Sequence, residues 1–70
     1  MKTGTLIYDP MMNRIDVRYA DGCSYGGLHC GTTLEAFYNG EWIPTRIECA
    51  DDWYLVGIPQ ESLYGLQARI

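Results

Sequence analysis

The chain has 70 residues, of which 47% are apolar, and a formal net charge of −4. This length excludes a second domain, because a domain of this size buries only about 60% of the surface that its unfolded chain exposes. The apolar and aromatic content excludes intrinsic disorder. With only five lysines and arginines, no basic stripe can neutralise a run of phosphates, so we expect no nucleic-acid partner.

The first residues and the cysteines indicate where the protein works. Residues 1–4 lead straight into a strand-like run, without the apolar region of about 7–15 residues that a signal peptide has. No stretch approaches the roughly 18 apolar residues of a membrane span. Three cysteines, an odd number, are typical of reduced cytosolic thiols rather than of a disulfide framework. We therefore expect a cytoplasmic protein without a membrane partner.

Two strands are predicted in the first third of the chain. Leu6 and Tyr8 follow Thr5 at a spacing of two, and Ile15, Val17 and Tyr19 alternate with Arg14, Asp16 and Arg18. A period of two is typical of half-buried antiparallel strands. Residues 9–13 join the two strands, and residues 21–22 form an Asp-Gly turn signal after the second.

Asn39-Gly40 is the strongest hairpin signal in the sequence, since a type I′ turn needs positive φ at both central positions. It predicts a hairpin between residues 34–38 and 41–48. In the second strand Ile43, Thr45 and Ile47 share one face, and Trp42, Pro44 and Arg46 share the other. Because Pro44 cannot donate to a strand ladder, we expect a sheet edge or a bulge there.

Residues 53–57 are apolar on both faces, which predicts a central strand covered on both sides. Residues 60–64 are long enough for one 3₁₀ turn, and Leu66, Ala68 and Ile70 then alternate in a closing strand. No segment keeps a period of 3.6 residues. The pattern predicts an all-β fold: a single domain over residues 1–70, closed as a small SH3-like antiparallel barrel of five or six strands, with the 3₁₀ turn before the last strand.

Four motifs together resemble a family of short bacterial proteins classed as a domain of unknown function. They are YGGLHCG at residues 25–31, WIPTRIE at 42–48, DWYLVG at 52–57 and GLxxRI at 65–70. The resemblance implies a complete, free-standing domain. It implies no substrate, cofactor or catalytic residue.

One candidate chemistry is a zinc or thiol site built from Cys23, His29, Cys30 and Cys49. Four such ligands are the number that a structural zinc ion needs. However, neighbours in an extended strand point to opposite sides, so His29 and Cys30 can reach one metal only from a turn, which the flanking glycines permit. A cysteine nucleophile would also need a base and an orienting group within reach. We therefore expect no enzyme activity and no cofactor, and keep the zinc- or thiol-dependent protein as the alternative.

The large aromatic set favours a binding function. Six aromatic residues exceed what one small core encloses: Tyr8, Tyr25, Trp42, Trp53, Tyr54 and Tyr64. Surplus Trp, Tyr and Arg are the residue types that anchor interfaces, although they also suit the open ends of a barrel. We predict a non-catalytic module that binds a protein partner or its own copy through Trp42, Arg46, Tyr54 and Tyr64. An acidic decoy that mimics nucleic acid has the right charge sign but lacks a dense acidic face.

Overall fold

A computed structural model describes residues 1–59, 61 and 63–70. These residues include six strands: β1 (Thr3–Asp9), β2 (Arg14–Tyr19), β3 (Thr33–Tyr38), β4 (Glu41–Cys49), β5 (Trp53–Leu55) and β6 (Gln67–Arg69). The described residues form no α-helix. The predicted all-β class is confirmed, and the six strands agree with the predicted five or six.

The strands form one antiparallel sheet in the order β2-β1-β6-β3-β4-β5. The closing strand β6 lies in the middle, because Ala68 pairs with Gly4 of β1 on one side and with Ala36 of β3 on the other. The two chain ends also pair, since the backbone N–H groups of Lys2 and Ile70 each donate to the other's carbonyl at 3.0 Å. The last strand therefore joins the two hairpins β1–β2 and β3–β4 into one sheet.

Alternation along the strands places one face of the sheet against a single core. The core contains Leu6, Ile15, Val17, Leu34, Ala36, Ile47, Leu55 and Ala68 from the strands, and Leu28, Ile58 and Leu63 from the connections. We call this side the inner face and the opposite side the outer face. Because one sheet supplies most of the core, it curls around the buried side chains.

The Asn39-Gly40 hairpin is confirmed. Asn39 has φ 54° and Gly40 has φ 84°, as a type I′ turn requires, and the register pairs Tyr38 with Glu41. The same register pairs Glu35 with Pro44, and β5 joins β4 only from Ile47 onward. Pro44 therefore lies where β4 has β3 as its one strand neighbour, which confirms the predicted edge.

The SH3-like barrel is not confirmed, because the sheet is not closed: β2 and β5 end the strand order without pairing with each other. Segment 23–28 covers the free edge of β2 instead. The N–H groups of Tyr25 and Leu28 donate to the carbonyls of Val17 and Ile15 at 2.9 and 2.8 Å. The buried Asp16 carboxylate accepts the Gly26 N–H at 3.1 Å and holds this segment in place. An irregular segment thus occupies the position that a barrel strand would need.

The predicted central strand at residues 53–57 is wrong in two respects. It is the three-residue strand β5 at the edge of the sheet, which among the described strands pairs with β4 alone, and it ends where Ile58 N–H donates to the Leu55 carbonyl at 3.1 Å. Both its faces are apolar for different reasons: Leu55 packs in the core, while Tyr54 lies beside Glu48 on the outer face. The predicted 3₁₀ turn includes residues 60 and 62, which lie outside the described residues.

Candidate functional site

The His29-Cys30 pair lies in a β-turn. Thr32 N–H donates to the His29 carbonyl at 2.9 Å, and Gly31 takes the third turn position with φ 88°. A side chain at that position would be strained, so the sequence needs glycine there. Gly31 N–H then donates to the Ile47 carbonyl at 2.7 Å, which anchors the turn to β4. The turn predicted from the glycines is present, and its role in the structure is to lead the chain into β3.

The four candidate zinc ligands do not form a cluster. All three cysteines are free and exposed, and His29 is also exposed. Within residues 1–59, 61 and 63–70, no group of three or more His, Cys, Asp or Glu side chains could hold a metal ion. No hydrogen bond joins His29 to a thiol in these ranges either. The structure thus offers no geometric support for the zinc or thiol alternative.

An aromatic and arginine cluster lies on the outer face of β6, β3 and β4, and we call it the outer-face cluster: Phe37, Trp42 and Arg69. Phe37 and Trp42 are cross-strand neighbours, with ring centroids 5.2 Å apart and an interplanar angle of 62°. The guanidinium carbon of Arg69 lies 4.2 Å from the Trp42 ring centroid, and the same guanidinium forms an ion pair with Glu35. Phe37 remains 39% exposed. Trp42 thus makes one edge-to-face and one cation–π contact in a cluster that remains partly exposed to solvent.

Arg46 and Tyr54 extend the same face toward β5. The sequence left open whether Arg46 stacks on the Trp42 indole or pairs with an acidic neighbour. Its Nε lies 2.7 Å from Glu48 Oε2, while Arg69 takes the place over the indole. Tyr54 is half-buried opposite Glu48. Strand pairing thus places Trp42, Arg46 and Tyr54 on the same face of the sheet.

Tyr64 lies elsewhere, in a cavity of about 510 Å³ that Tyr8 and Trp53 also line. The Tyr8 and Tyr64 rings meet edge to face, with centroids 6.2 Å apart and an interplanar angle of 74°. Burial raises the pKa of the Tyr64 phenol, and the charges of Asp52 and Tyr8 raise this pKa further. The four predicted partner residues therefore belong to two separate sites.

Charge is divided unevenly between the outer face and the turns. All four arginines occupy outer-face strand positions, and strand alternation gives four carboxylates the same positions: Asp9, Asp16, Glu35 and Glu48, of which Asp16 is buried against segment 23–28. The outer face is therefore net neutral. The formal charge of −4 comes from Lys2 together with five carboxylates outside this face: Asp21, Glu41, Asp51, Asp52 and Glu61.

The sequence analysis did not predict two members of the outer-face cluster, Phe37 and Arg69. The Phe37–Trp42 contact follows from a two-residue turn at Asn39-Gly40, since that turn fixes the register of the hairpin. Arg69 gave no comparable signal, because the pairing of β6 with β3 joins residues 34 positions apart, as the Glu35–Arg69 ion pair shows.

The described residues thus define a small all-β protein with one curled sheet, an outer-face cluster and an acidic aromatic cavity. A family model described as a domain of unknown function, DUF5348, matches residues 4–70. The chain belongs to this family, which confirms the resemblance seen in its motifs.

A solved crystal structure of a protein from Ruminococcus gnavus, a structural-genomics target, is similar to this chain. It shares 45% sequence identity with a TM-score of 0.89, and the match covers 99% of this chain and 100% of that one. A comparison with curated proteins finds no significant match. In the part of the chain that the structure describes, no helix has the length and apolar character needed to cross a membrane.

Proposed function

We propose that this protein is a non-catalytic binding module that associates with a second copy of its own chain through the outer face. The observation that carries the proposal is the outer-face cluster, in which the half-buried Trp42 contacts both Arg69 and the exposed Phe37. Tryptophan and arginine are enriched among the residues that dominate binding energy at interfaces. A side chain held by its neighbours loses little further rotamer entropy on binding.

Charge favours a second copy as the occupant. In a two-fold symmetric dimer each surface patch meets its own copy, so a patch with net charge repels itself. The outer face is neutral, and two of its arginines already pair with Glu35 and Glu48. For a chain with net charge −4, this is the surface on which two copies approach with the least repulsion. Arginines compensated in this way also favour a protein over nucleic acid.

Size limits the strength of the proposed dimer. A stable interface buries about 800 Å² per partner, close to a fifth of the 4314 Å² that this molecule exposes. A sheet that curls around its core presents a convex outer face, which offers less contact area than a flat one. We therefore expect a dissociation constant in the micromolar range or weaker.

The three free, exposed thiols support a reducing, cytoplasmic setting.

Analytical ultracentrifugation between about 10 μM and 1 mM protein tests the proposal, since this range spans micromolar affinities. We expect a reversible monomer–dimer equilibrium, weakened at least tenfold by Trp42→Ala and by Phe37→Ser. Tyr25→Ala is the matched control, because Tyr25 is an exposed aromatic outside the outer-face cluster. A monomer throughout, or equal dissociation constants for all variants, overturns self-association. Circular dichroism verifies that each variant is folded.

A further inference from the structure

The cavity around Tyr64 has a composition distinct from the outer face. It lies where the β1–β2 connection and the β4–β5 turn meet Tyr64, and its volume of about 510 Å³ falls within the range of about 300–1,000 Å³ typical of small-ligand sites. Three aromatic rings, Tyr8, Trp53 and Tyr64, line it together with the carboxylates Asp51 and Asp52. Aromatic walls and carboxylates are therefore combined in one open cavity.

The aromatic walls are held in position by contacts outside the cavity's own rings. Tyr8 donates its hydroxyl hydrogen to Asn13 Oδ1, and Trp53 packs against the core. The angle of 74° between the Tyr8 and Tyr64 rings makes them adjacent walls rather than a stack. Rings at such an angle can present an electron-rich face to a ligand lying between them.

The electrostatic environment of the cavity is negative. Its described lining includes two carboxylates and neither lysine nor arginine, and one cation, the guanidinium of Arg14, lies beside the lining residue Trp53. The Asp51-Asp52 turn also holds two of the five carboxylates that lie outside the neutral outer face. Burial is the main cause of the raised pKa of Tyr64, and the Asp52 charge adds to it by opposing ionisation of the phenol. A cationic group is therefore attracted, and an anion is repelled.

We propose that this cavity binds an organic ammonium group, with its alkyl substituents against the aromatic rings and its charge near Asp51 and Asp52. Cations bind the faces of Trp and Tyr when they lie within about 6 Å of the ring centroid. Trp53 already makes such a contact, because the guanidinium carbon of Arg14, a residue outside the lining, is 6.0 Å from its centroid. A bare metal ion suits the site poorly, since the described residues include no group of three or more His, Cys, Asp or Glu side chains that could hold one.

Choline and its uncharged isostere 3,3-dimethylbutan-1-ol test the proposal in the full chain. A Trp42→Phe background leaves Trp53 as the single tryptophan, so its fluorescence reports on the cavity. Titration at constant ionic strength, with sodium chloride replaced by choline chloride, separates binding from screening. We expect a saturable change with choline and at least tenfold weaker binding of the isostere. No saturable response, or equal affinity for both probes, overturns the proposal.

Variants locate the binding. Asp51→Asn combined with Asp52→Asn keeps the shape and removes both charges, and we expect at least tenfold weaker choline binding. Tyr64→Ala should weaken it similarly, whereas Tyr64→Phe retains the ring and the binding. Tyr25→Ala, an exposed aromatic outside the cavity, should change nothing. Unchanged affinity in the double Asn variant, with a wild-type-like circular dichroism spectrum, contradicts the proposed role of the carboxylates.

The same ammonium chemistry occurs in free amines and in lysine side chains. A short peptide containing trimethyl-lysine, compared with choline, distinguishes these two sources. A peptide bound at least tenfold more tightly assigns the site to a protein side chain, and equal or tighter choline binding assigns it to a small amine. Failure of both probes overturns the proposal but leaves self-association intact, because the outer-face cluster shares no residue with the cavity.

Discussion

At the scale of single residues, Gly4 is the position where a small side chain matters most for packing. It is buried between Tyr19 and Ala68, and a Cβ there would lie 2.5 Å from the Arg18 carbonyl oxygen and 2.7 Å from Val17 Cγ1. The first of these contacts is with backbone, which cannot rotate away. We expect Gly4→Ala to lower the free energy of unfolding by about 1–3 kcal/mol, which corresponds to roughly 4–8 °C in Tm per kcal/mol for a domain of this size.

Thermal unfolding followed by circular dichroism measures this effect. Thr3→Val, on the same strand but exposed, keeps the volume and should change stability by less than about 0.5 kcal/mol. A Gly4→Ala variant as stable as wild type would mean that β1 and β2 can move apart to accommodate the added methyl group without loss of stability. In that case the close approach of the two strands would not be a determinant of stability.

At the scale of elements, substitutions at Gly40 in the Asn39-Gly40 turn measure the cost of backbone strain without a change in packing. Nothing lies within 4 Å of a Cβ built at Gly40, yet its φ is 84°. Gly40→Ala should therefore cost about 1–2 kcal/mol through the left-handed backbone alone. Because asparagine tolerates this region, Gly40→Asn should recover part of the loss. Chemical denaturation of the two variants checks the order, and equal stabilities of Gly40→Ala and wild type would show that the type I′ turn is not required.

Local elements were predictable from the sequence because their signals are local. The hairpin followed from two turn residues, and the inward set Ile43, Thr45 and Ile47 followed from alternation. The position of β6 between β1 and β3 did not, because alternation fixes which side chains point inward but not which strands become neighbours. Alternation also cannot show whether a strand lies at the centre or the edge of a sheet. For this reason β5, which is apolar on both faces, was predicted at the centre although it lies at the edge.

The candidate sites also differ in whether local sequence patterns could predict them. Trp42, Arg46 and Tyr54 share a face as their strand parity and the hairpin indicate. Tyr64 was grouped with them by residue type, and composition alone cannot place a side chain in space. The cavity brings together residues from the two ends of the chain, Tyr8 and Tyr64, with the Asp51-Asp52 turn between them in sequence. Because long-range strand pairing brings these residues together, no local sequence pattern predicts the cavity.

At the scale of the whole molecule, the separation of a neutral outer face from acidic turns predicts how salt affects the proposed dimer. Two copies, each of net charge −4, repel over a distance set by the Debye length, which falls from about 30 Å at 0.01 M salt to about 10 Å at 0.1 M. The ion pairs on the outer face are internal to one copy, so salt removes little attraction between copies. We therefore expect the dimer to tighten several-fold over this salt range.

Sedimentation equilibrium at a series of sodium chloride concentrations measures this dependence. The double variant Asp21→Asn with Glu41→Gln removes two negative charges from outside the outer face, so its dimer should respond less steeply to salt. A dimer that weakens with salt would require charge attraction between copies, and the arginines of one outer face would then have exchanged their carboxylate partners with the other. The sign of the salt dependence thus decides whether the neutral face is only the least repulsive surface or is itself a charge-complementary one.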